Sequence, residues 1–355
     1  MLAGCRFAHF LQYGLRAQER EPAEFDSRFY GTFVHDVLEY IVQQTEREGG
    51  FAAVPRSRVQ ELAQERMEQN AQTLLETFPD SGRTGYLLRR TFDEVTQVVD
   101  ELYDELSVSA FRPKFCELEF SARGALPGVA FAGERCRGVV EGFVDRVDVW
   151  RSGGRPYVRV VDYKTGKKSF DYTNVLHGRG LQMLLYLFAL VRQGGHLLHG
   201  EPLPAGVLYF PARIERVSVR DRLAQAEIEK ERRKQLRRSG VLLNSDPVLE
   251  AMEPCGGSPR FLPYALDKEG RKTGDLASFA QLAQLERFVF RTVAALGDEL
   301  ADGRIDPDPC IRDAKDSACA FCPYSEVCAG HEQPRWLKKI TAEEFWQTLE
   351  RREHG

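Results

Sequence analysis

Two residues of one short run have the types and spacing for chemistry at a charged substrate. In Val160-Val161-Asp162-Tyr163-Lys164-Thr165-Gly166, a carboxylate and an ammonium group stand two apart on an apolar, β-favouring stretch that a glycine ends. On a strand, positions i and i+2 point to the same face. Asp162 and Lys164 would therefore stand side by side, with Val161 and Tyr163 facing the other way. Such a pair suits metal-assisted phosphate chemistry, in which cation and ammonium both offset charge developing on phosphorus. Asp145, in Gly142-Phe143-Val144-Asp145-Arg146-Val147-Asp148, lies on the strand expected to pair with this one. Two carboxylates plus a substrate phosphate suffice for a hard ion such as Mg2+. His35 would add nitrogen and shift the preference toward Mn2+. Taken singly, each residue has a plainer reading. Asp162 and Lys164 read as an exposed strand-end pair, Asp145-Arg146-x-Asp148 as an exposed cross-strand ladder, and His35 as a packed helix side chain. Glu117 and Glu119 read as solvent-facing strand positions.

A second group of candidate ligands is sulfur. The eight cysteines lie at 5, 116, 136, 255, 310, 319, 322 and 328, four of them within the nineteen residues from Cys310 to Cys328. So uneven a spread, in so long a chain, favours a metal site over a disulfide framework. Cys319-Ala320-Phe321-Cys322-Pro323-Tyr324-Ser325-Glu326-Val327-Cys328 offers three thiolates at x2 and x5 spacing, and a fourth must come from elsewhere. By spacing alone Cys310 is nearest, and zinc and an iron-sulfur cluster both fit.

The elements that would position these groups read as follows. Cys5 to Leu15 is a short apolar helix stopped near Gly14. Its abrupt start points to a fragment of something longer. Gly31 to Val42 carries apolar residues at 34, 37, 38, 41 and 42, an amphipathic helix with His35 near its start. Further helices span about 56–78 and 84–106. The period then changes to strands at 115–120, 137–150 and 157–164. Ser152-Gly153-Gly154-Arg155-Pro156 turns the last two into an antiparallel hairpin. A helix over 179–193 and a strand over 205–211 complete an α/β core. A polar helix over 219–239 follows; ten Lys or Arg face five Asp or Glu between 211 and 240, either a solvated face or a phosphate contact. A helix over 276–303, the cysteine segment and a charged terminal helix end the chain. These divide into a helical segment (1–110), a core (111–212), a helical extension (213–304) and a cysteine segment with tail (305–355), forming one compact unit.

At 355 residues, with 43% hydrophobic content and a formal charge of −4, the chain reads as globular, without a global basic field. No apolar run reaches membrane-spanning length. Leu2-Ala3-Gly4-Cys5 lacks the basic and apolar segments of a lipoprotein signal. Gly166-Lys167-Lys168-Ser169 lacks the glycine at 161 that a P-loop requires, so no ATP site is expected.

The joint arrangement resembles the PD-(D/E)XK nuclease superfamily and, within it, the RecB-like branch. Gly31-x3-His35-x2-Leu38-Glu39 is similar to that branch's histidine motif. Gly142-Phe143-Val144-Asp145 is similar to its first carboxylate motif, Asp162-Tyr163-Lys164 to its second carboxylate and lysine, and Gln182-x3-Tyr186 to its further motif. Glu119 matches an accessory acidic position less specifically. The resemblance implies a restriction-endonuclease-like αβββαβ core with a mixed sheet flanked by helices. It also implies Mg2+ or Mn2+ on His35, Asp145, Asp162 and the Tyr163 carbonyl, a catalytic Lys164, and Gln182 and Tyr186 positioning DNA or the lysine. In the iron-sulfur members the remaining cysteine precedes the nuclease motifs, and Cys5-x-Phe7-x2-Phe10-Leu11-x-Tyr13-Gly14-Leu15 resembles that position. A 4Fe-4S cluster on Cys5, Cys319, Cys322 and Cys328 is then implied, with Zn2+ as the alternative.

The whole pattern most resembles the C-terminal nuclease domain of the AddB family. The family implies a bacterial cytoplasmic, nucleoid-associated exonuclease acting on DNA single strands or duplex ends with an AddA-like helicase-nuclease partner. Two features depart from it: Arg6 stands where proline commonly follows the cysteine, and a helicase-like amino-terminal region is missing. Two other readings share the motifs, a catalytically silent DNA-end-binding module and a stand-alone exonuclease such as the CRISPR-associated iron-sulfur enzymes. A link from Cys5 to Cys319 would close a loop worth roughly 5 kcal/mol of unfolded-state freedom.

Overall fold

The hairpin that carries Asp145 and Asp162 forms as expected, and the sheet extends from it on both sides. The computed structural model describes residues 1–18, 27–77, 82–166, 169–214, 225–328, 330 and 333–354. Helices α1 (Ser27–Arg47), α2 (Arg56–Thr77) and α3 (Gly82–Val108) lead into strands β1 (Arg112–Phe120), β2 (Gly142–Ser152) and β3 (Arg155–Lys164). Helix α4 (Gln182–Gln193), strands β4 (Leu203–Pro211), β5 (Ser239–Leu243) and β6 (Leu276–Ala277), and helices α5 (Phe279–Ala301) and α6 (Ala342–His354) follow. The six strands lie side by side in that order. Pairs β1/β2, β2/β3 and β4/β5 are antiparallel, while β3/β4 and β5/β6 are parallel. The result is a mixed α/β sheet flanked by helices, with β3/β4 joined through α4 as a βαβ unit. Gly153 and Gly154, at φ of 56° and 77°, supply the left-handed turn that a two-residue hairpin asks for.

The stripe read on α1 is its core face: Val34, Val37, Leu38, Ile41 and Val42 are buried, and α1 packs on β1 and β2. Helix α4 packs on β3 and β4, and α5 crosses α4. One apolar core runs from Tyr30 to Leu349.

Several boundaries differ from the sequence reading. The expected strand 137–150 is broken at Glu141, where the Tyr186 hydroxyl donates to the carbonyl at 3.3 Å; Arg137–Val140 pairs instead with Val129–Ala132. The helix expected from 179 begins at Gln182, after a short helix Tyr172–Leu176 capped by Asp171. The one expected from 276 begins after a capping box at Ser278 and Gln281, because Leu276–Ala277 joins the sheet. The polar helix is described over Gln225–Leu236; residues 215–224, like Lys167 and Lys168, lie outside the described residues. Its expected last turn gives way to β5.

Arg146 and Asp148 are not an exposed ladder. Both are fully buried, as is Arg159, and Glu105 of α3 is 1% exposed. Arg146 Nε and Nη2 donate to the two Asp148 oxygens at 2.8 and 3.0 Å. Arg159 bonds Asp148 and Glu105, and Arg238 bonds the other Glu105 oxygen at 2.8 Å. Paired geometry of this kind is what lets charges sit in a core. Helix α3 is thus tied to β2 and β3 by ions as well as by apolar packing.

The first residues are stitched to the last third of the chain. Cys310 N donates to the Gly4 carbonyl at 2.8 Å, Phe7 N to Asp306, and Tyr324 Oη to the Ala17 carbonyl at 2.9 Å. Arg6, in the short helix Arg6–His9 that continues as a π turn over Phe10–Gly14, pairs with Glu299 and Asp308. Arg335 holds the same Asp308 at 2.9 Å and the Ala3 carbonyl at 3.0 Å. Arg6, the residue that departs from the family pattern, therefore sits at the centre of this seam.

Candidate metal and cysteine sites

The site at Asp162 is a fork between two strands. Pairing of β2 with β3 runs from Ser152↔Arg155 to Arg146↔Val161 and stops; the next positions in that register are Asp145 and Asp162. On its other side β3 stays paired to β4 as far as Lys164↔Pro211. The Tyr163 N–H, left without a ladder partner on the β2 side, donates to Asp145 Oδ2 at 2.7 Å. One carboxylate is thereby fixed by the backbone of the strand carrying the other. Tyr163 turns away from the fork, as the period of two requires, and its hydroxyl accepts from Arg146 Nη1 at 3.0 Å.

Helix α1 brings His35 over the open end. Its Nε2 lies 2.9 Å from the Tyr163 carbonyl and its Nδ1 3.5 Å from Asp145 Oδ2. A carbonyl can only accept, so Nε2 carries a proton, and Nδ1 is the nitrogen turned toward Asp145. Metal-binding histidines are commonly oriented in this way. The Tyr163 carbonyl, expected as a ligand, thus serves first to orient His35. The Lys164 ammonium pairs with Asp162 Oδ2.

Burial first, and then the Asp162 charge, raise the Asp145 carboxyl above its ordinary range. Glu117 of β1 is raised likewise, by burial and then by Asp145 and Glu39. Crowded carboxyls resist ionising together, and a cation between them removes that conflict. His35, Glu117 and Asp145 offer ligand atoms within 4.8 Å of one another. The mixed nitrogen and oxygen set fits Mg2+ or Mn2+. Glu117, which reads from the sequence as a solvent-facing strand position, joins this group because its side chain is turned toward His35 and Asp145, which nothing in a charged edge-strand sequence marks. Glu119, the accessory position of the resemblance, accepts instead from Ser121 Oγ at 2.6 Å.

Gln182 opens α4, and Tyr186, one turn on, is 1% exposed with its ring stacked on Phe120 at 4.8 Å. Burial raises the Tyr186 hydroxyl, and a hydrogen bond with Gln182 works in the opposite direction. That hydroxyl fills the space beside Gly142: a Cβ there would lie 2.0 Å from it. Gly142→Ala is therefore expected to cost about 1–3 kcal/mol in urea unfolding, the range for overpacking. Tyr186→Phe in the same chain should recover part of the loss; an unchanged midpoint for Gly142→Ala would refute the contact.

All eight cysteines are free. Cys5 and Cys322 pack into a small cluster with Ala8, Leu11 and Tyr324, apart from the main core. Burial raises the Cys319 thiol, a hydrogen bond with Ser317 works against that, and Cys322, Cys5 and Cys328 each add to the rise. Cys310 is buried in the same region, with Sγ 3.2 Å from the Ala3 carbonyl; burial raises its thiol, and Cys5 adds to that rise.

The PD-(D/E)XK nuclease superfamily matches over residues 1–329. A Moorella thermoacetica protein, named as a subunit of an ATP-dependent helicase/deoxyribonuclease, is 34% identical over 333 residues, covering 92% of this chain and 29% of its own length. Proteins of the same name from Thermoanaerobacter sp. (29% identical over 363 residues) and Caldanaerobacter subterraneus subsp. tengcongensis (30% over 344) are covered for 31% and 28% of their lengths. The chain spans under a third of these curated relatives.

Proposed function

The chain belongs to the PD-(D/E)XK nuclease superfamily, and from that premise we propose that it is a metal-dependent deoxyribonuclease, the nuclease unit of a helicase-nuclease that processes DNA double-strand ends in recombinational repair. The observation that carries this reading is the fork: Asp145 and Asp162 face each other where their strands part, with His35 above and Lys164 alongside. His35 Nδ1, Asp145 and Asp162 would hold Mg2+ or Mn2+, with the Tyr163 carbonyl beside them. The cation supplies charge stabilisation at the phosphate. Lys164 orients the attacking water or neutralises charge developing on phosphorus. Gln182 and Tyr186 act on the strand, through the Glu141 carbonyl, more than on DNA directly, since Tyr186 is buried.

The test is hydrolysis of single-stranded and duplex-end DNA with Mg2+ or Mn2+ by cluster-intact protein. Cleavage of neither substrate with either ion would sink the reading. DNA affinity without cleavage would point to an end-holding module.

Cys5, Cys319, Cys322 and Cys328 would hold a 4Fe-4S cluster. The place of Cys5 ahead of the nuclease motifs, as in the iron-sulfur members, supports this group over Zn2+. Cys5→Ser is expected to abolish bound iron and acid-labile sulfide, whereas Cys310→Ser keeps both; the reverse pattern would move the ligand to Cys310, and stoichiometric zinc in colourless anaerobic protein would exclude the cluster. The relatives are named as one subunit of a larger enzyme, which supports a partner of the AddA helicase-nuclease type. A place in the bacterial cytoplasm at the nucleoid fits that partnership. No helix among the described residues is long and apolar enough to cross a membrane.

A further inference from the structure

Glu117 stands where β1 passes the fork. The bridging pairs on either side are Cys116↔Arg146 and Leu118↔Val144, so Glu117 lies opposite Asp145. Its φ is 47°, one of three positive values among the described non-glycine residues. A long side chain in the left-handed region is strained, and such strain persists where surrounding structure imposes it, commonly at functional sites. The outcome is specific: Glu117 presents an oxygen within 4.8 Å of both a His35 nitrogen and an Asp145 oxygen. Neighbouring acids are otherwise engaged, Glu119 by Ser121 and Glu39 by Gln43 at 2.8 Å.

We infer that Glu117 is a ligand of the divalent cation, and that the left-handed turn of β1 exists to aim it at His35 and Asp145. The inference rests on the metal site proposed above and adds a third strand to it. A hard cation with oxygen-rich preference gains a third anchoring carboxylate from this arrangement, on the side of Asp145 away from Asp162 and Lys164.

The test is Mn2+ binding without DNA, followed by calorimetry and by the electron paramagnetic resonance signal of free Mn2+. Glu117→Gln is expected to weaken binding by about tenfold or more, on the scale of losing a ligand or its support, while Glu119→Gln stays within about twofold. The rise in Tm that saturating Mn2+ gives should shrink in parallel, since that rise is set by affinity. Glu117→Asn, which tolerates the left-handed backbone, separates the carboxylate from the fold: it should keep the metal-free Tm and still bind weakly. Wild-type affinity in Glu117→Gln and Glu117→Asn would overturn the inference. Failure of the wild type to bind Mn2+ would instead overturn the metal site on which it rests.

Discussion

Asp162→Ala is expected to lower the rate of DNA cleavage by about three orders of magnitude, roughly 4 kcal/mol of transition-state stabilisation. The carboxylate does two jobs at the fork: it faces Asp145 across the gap where pairing has stopped, and it fixes the Lys164 ammonium. Removing it takes away a metal oxygen and frees the lysine together. The fold should survive, because Asp162 holds its place through the β4 ladder opposite Tyr209. It also removes the charge that raises Asp145. Far-ultraviolet circular dichroism and the urea midpoint check the fold, and single-turnover cleavage checks the chemistry. Cleavage within about tenfold of the wild type, with the fold intact, would remove Asp162 from the mechanism.

Glu105→Ala, on α3 against the sheet, should destabilise the fold by about 3–5 kcal/mol, the cost of leaving buried charges without a partner. Glu105 is the anion to which Arg159 and Arg238 both bond, with Arg146 at 3.9 Å. Burial would raise its carboxyl, but Arg238, Arg159 and Arg146 overcome that and hold it at about 2. Burial and the Arg146 charge work against the Arg238 proton, and Glu105 and Glu101 hold it; a guanidinium remains charged regardless. The folded value is depressed, so the stabilisation is complete above the ordinary glutamate range. It is lost as pH falls from about 4.5 through about 2. Urea unfolding of wild type and Glu105→Gln should thus differ fully at pH 7 and converge toward pH 2. A gap independent of pH would show that the charge is not what matters. Arg146 also holds the Tyr163 hydroxyl, so weakening this network should loosen the strand between Asp162 and Lys164.

The parts legible in the sequence were those whose cause is local. The α1 stripe, the glycine turn of the hairpin and the period of two on β3 each follow from neighbours along the chain, and so the Asp162 and Lys164 pairing could be read directly. Strands β5 and β6 were not, because five residues after a charged helix and two before a capping box carry no period of their own. They become strands by pairing with β4 and with each other. Arg146 and Asp148 were misjudged for a related reason. Charged residues two apart on a strand look solvent-facing until Glu105, some forty residues earlier, supplies the missing anion. Glu117 shows the same limit at the backbone level, since no residue type in Phe115-Cys116-Glu117-Leu118 announces a left-handed turn.

The seam between residues 3–17 and 306–336 also imposes an order in time. More than three hundred residues separate Cys5 from Cys319, and at roughly 5–20 residues per second about 15–60 s of synthesis pass between them. For most of that interval Arg6 lacks Glu299 and Asp308, and for all of it Ala8 and Leu11 lack Tyr324. The hairpin bearing Asp145 and Asp162 is complete on the ribosome before the cysteine segment has been made. Loading of the group proposed for Cys5, Cys319, Cys322 and Cys328 would therefore be a late event in the life of each molecule, and until then Cys5 would be a free thiol on a nascent chain.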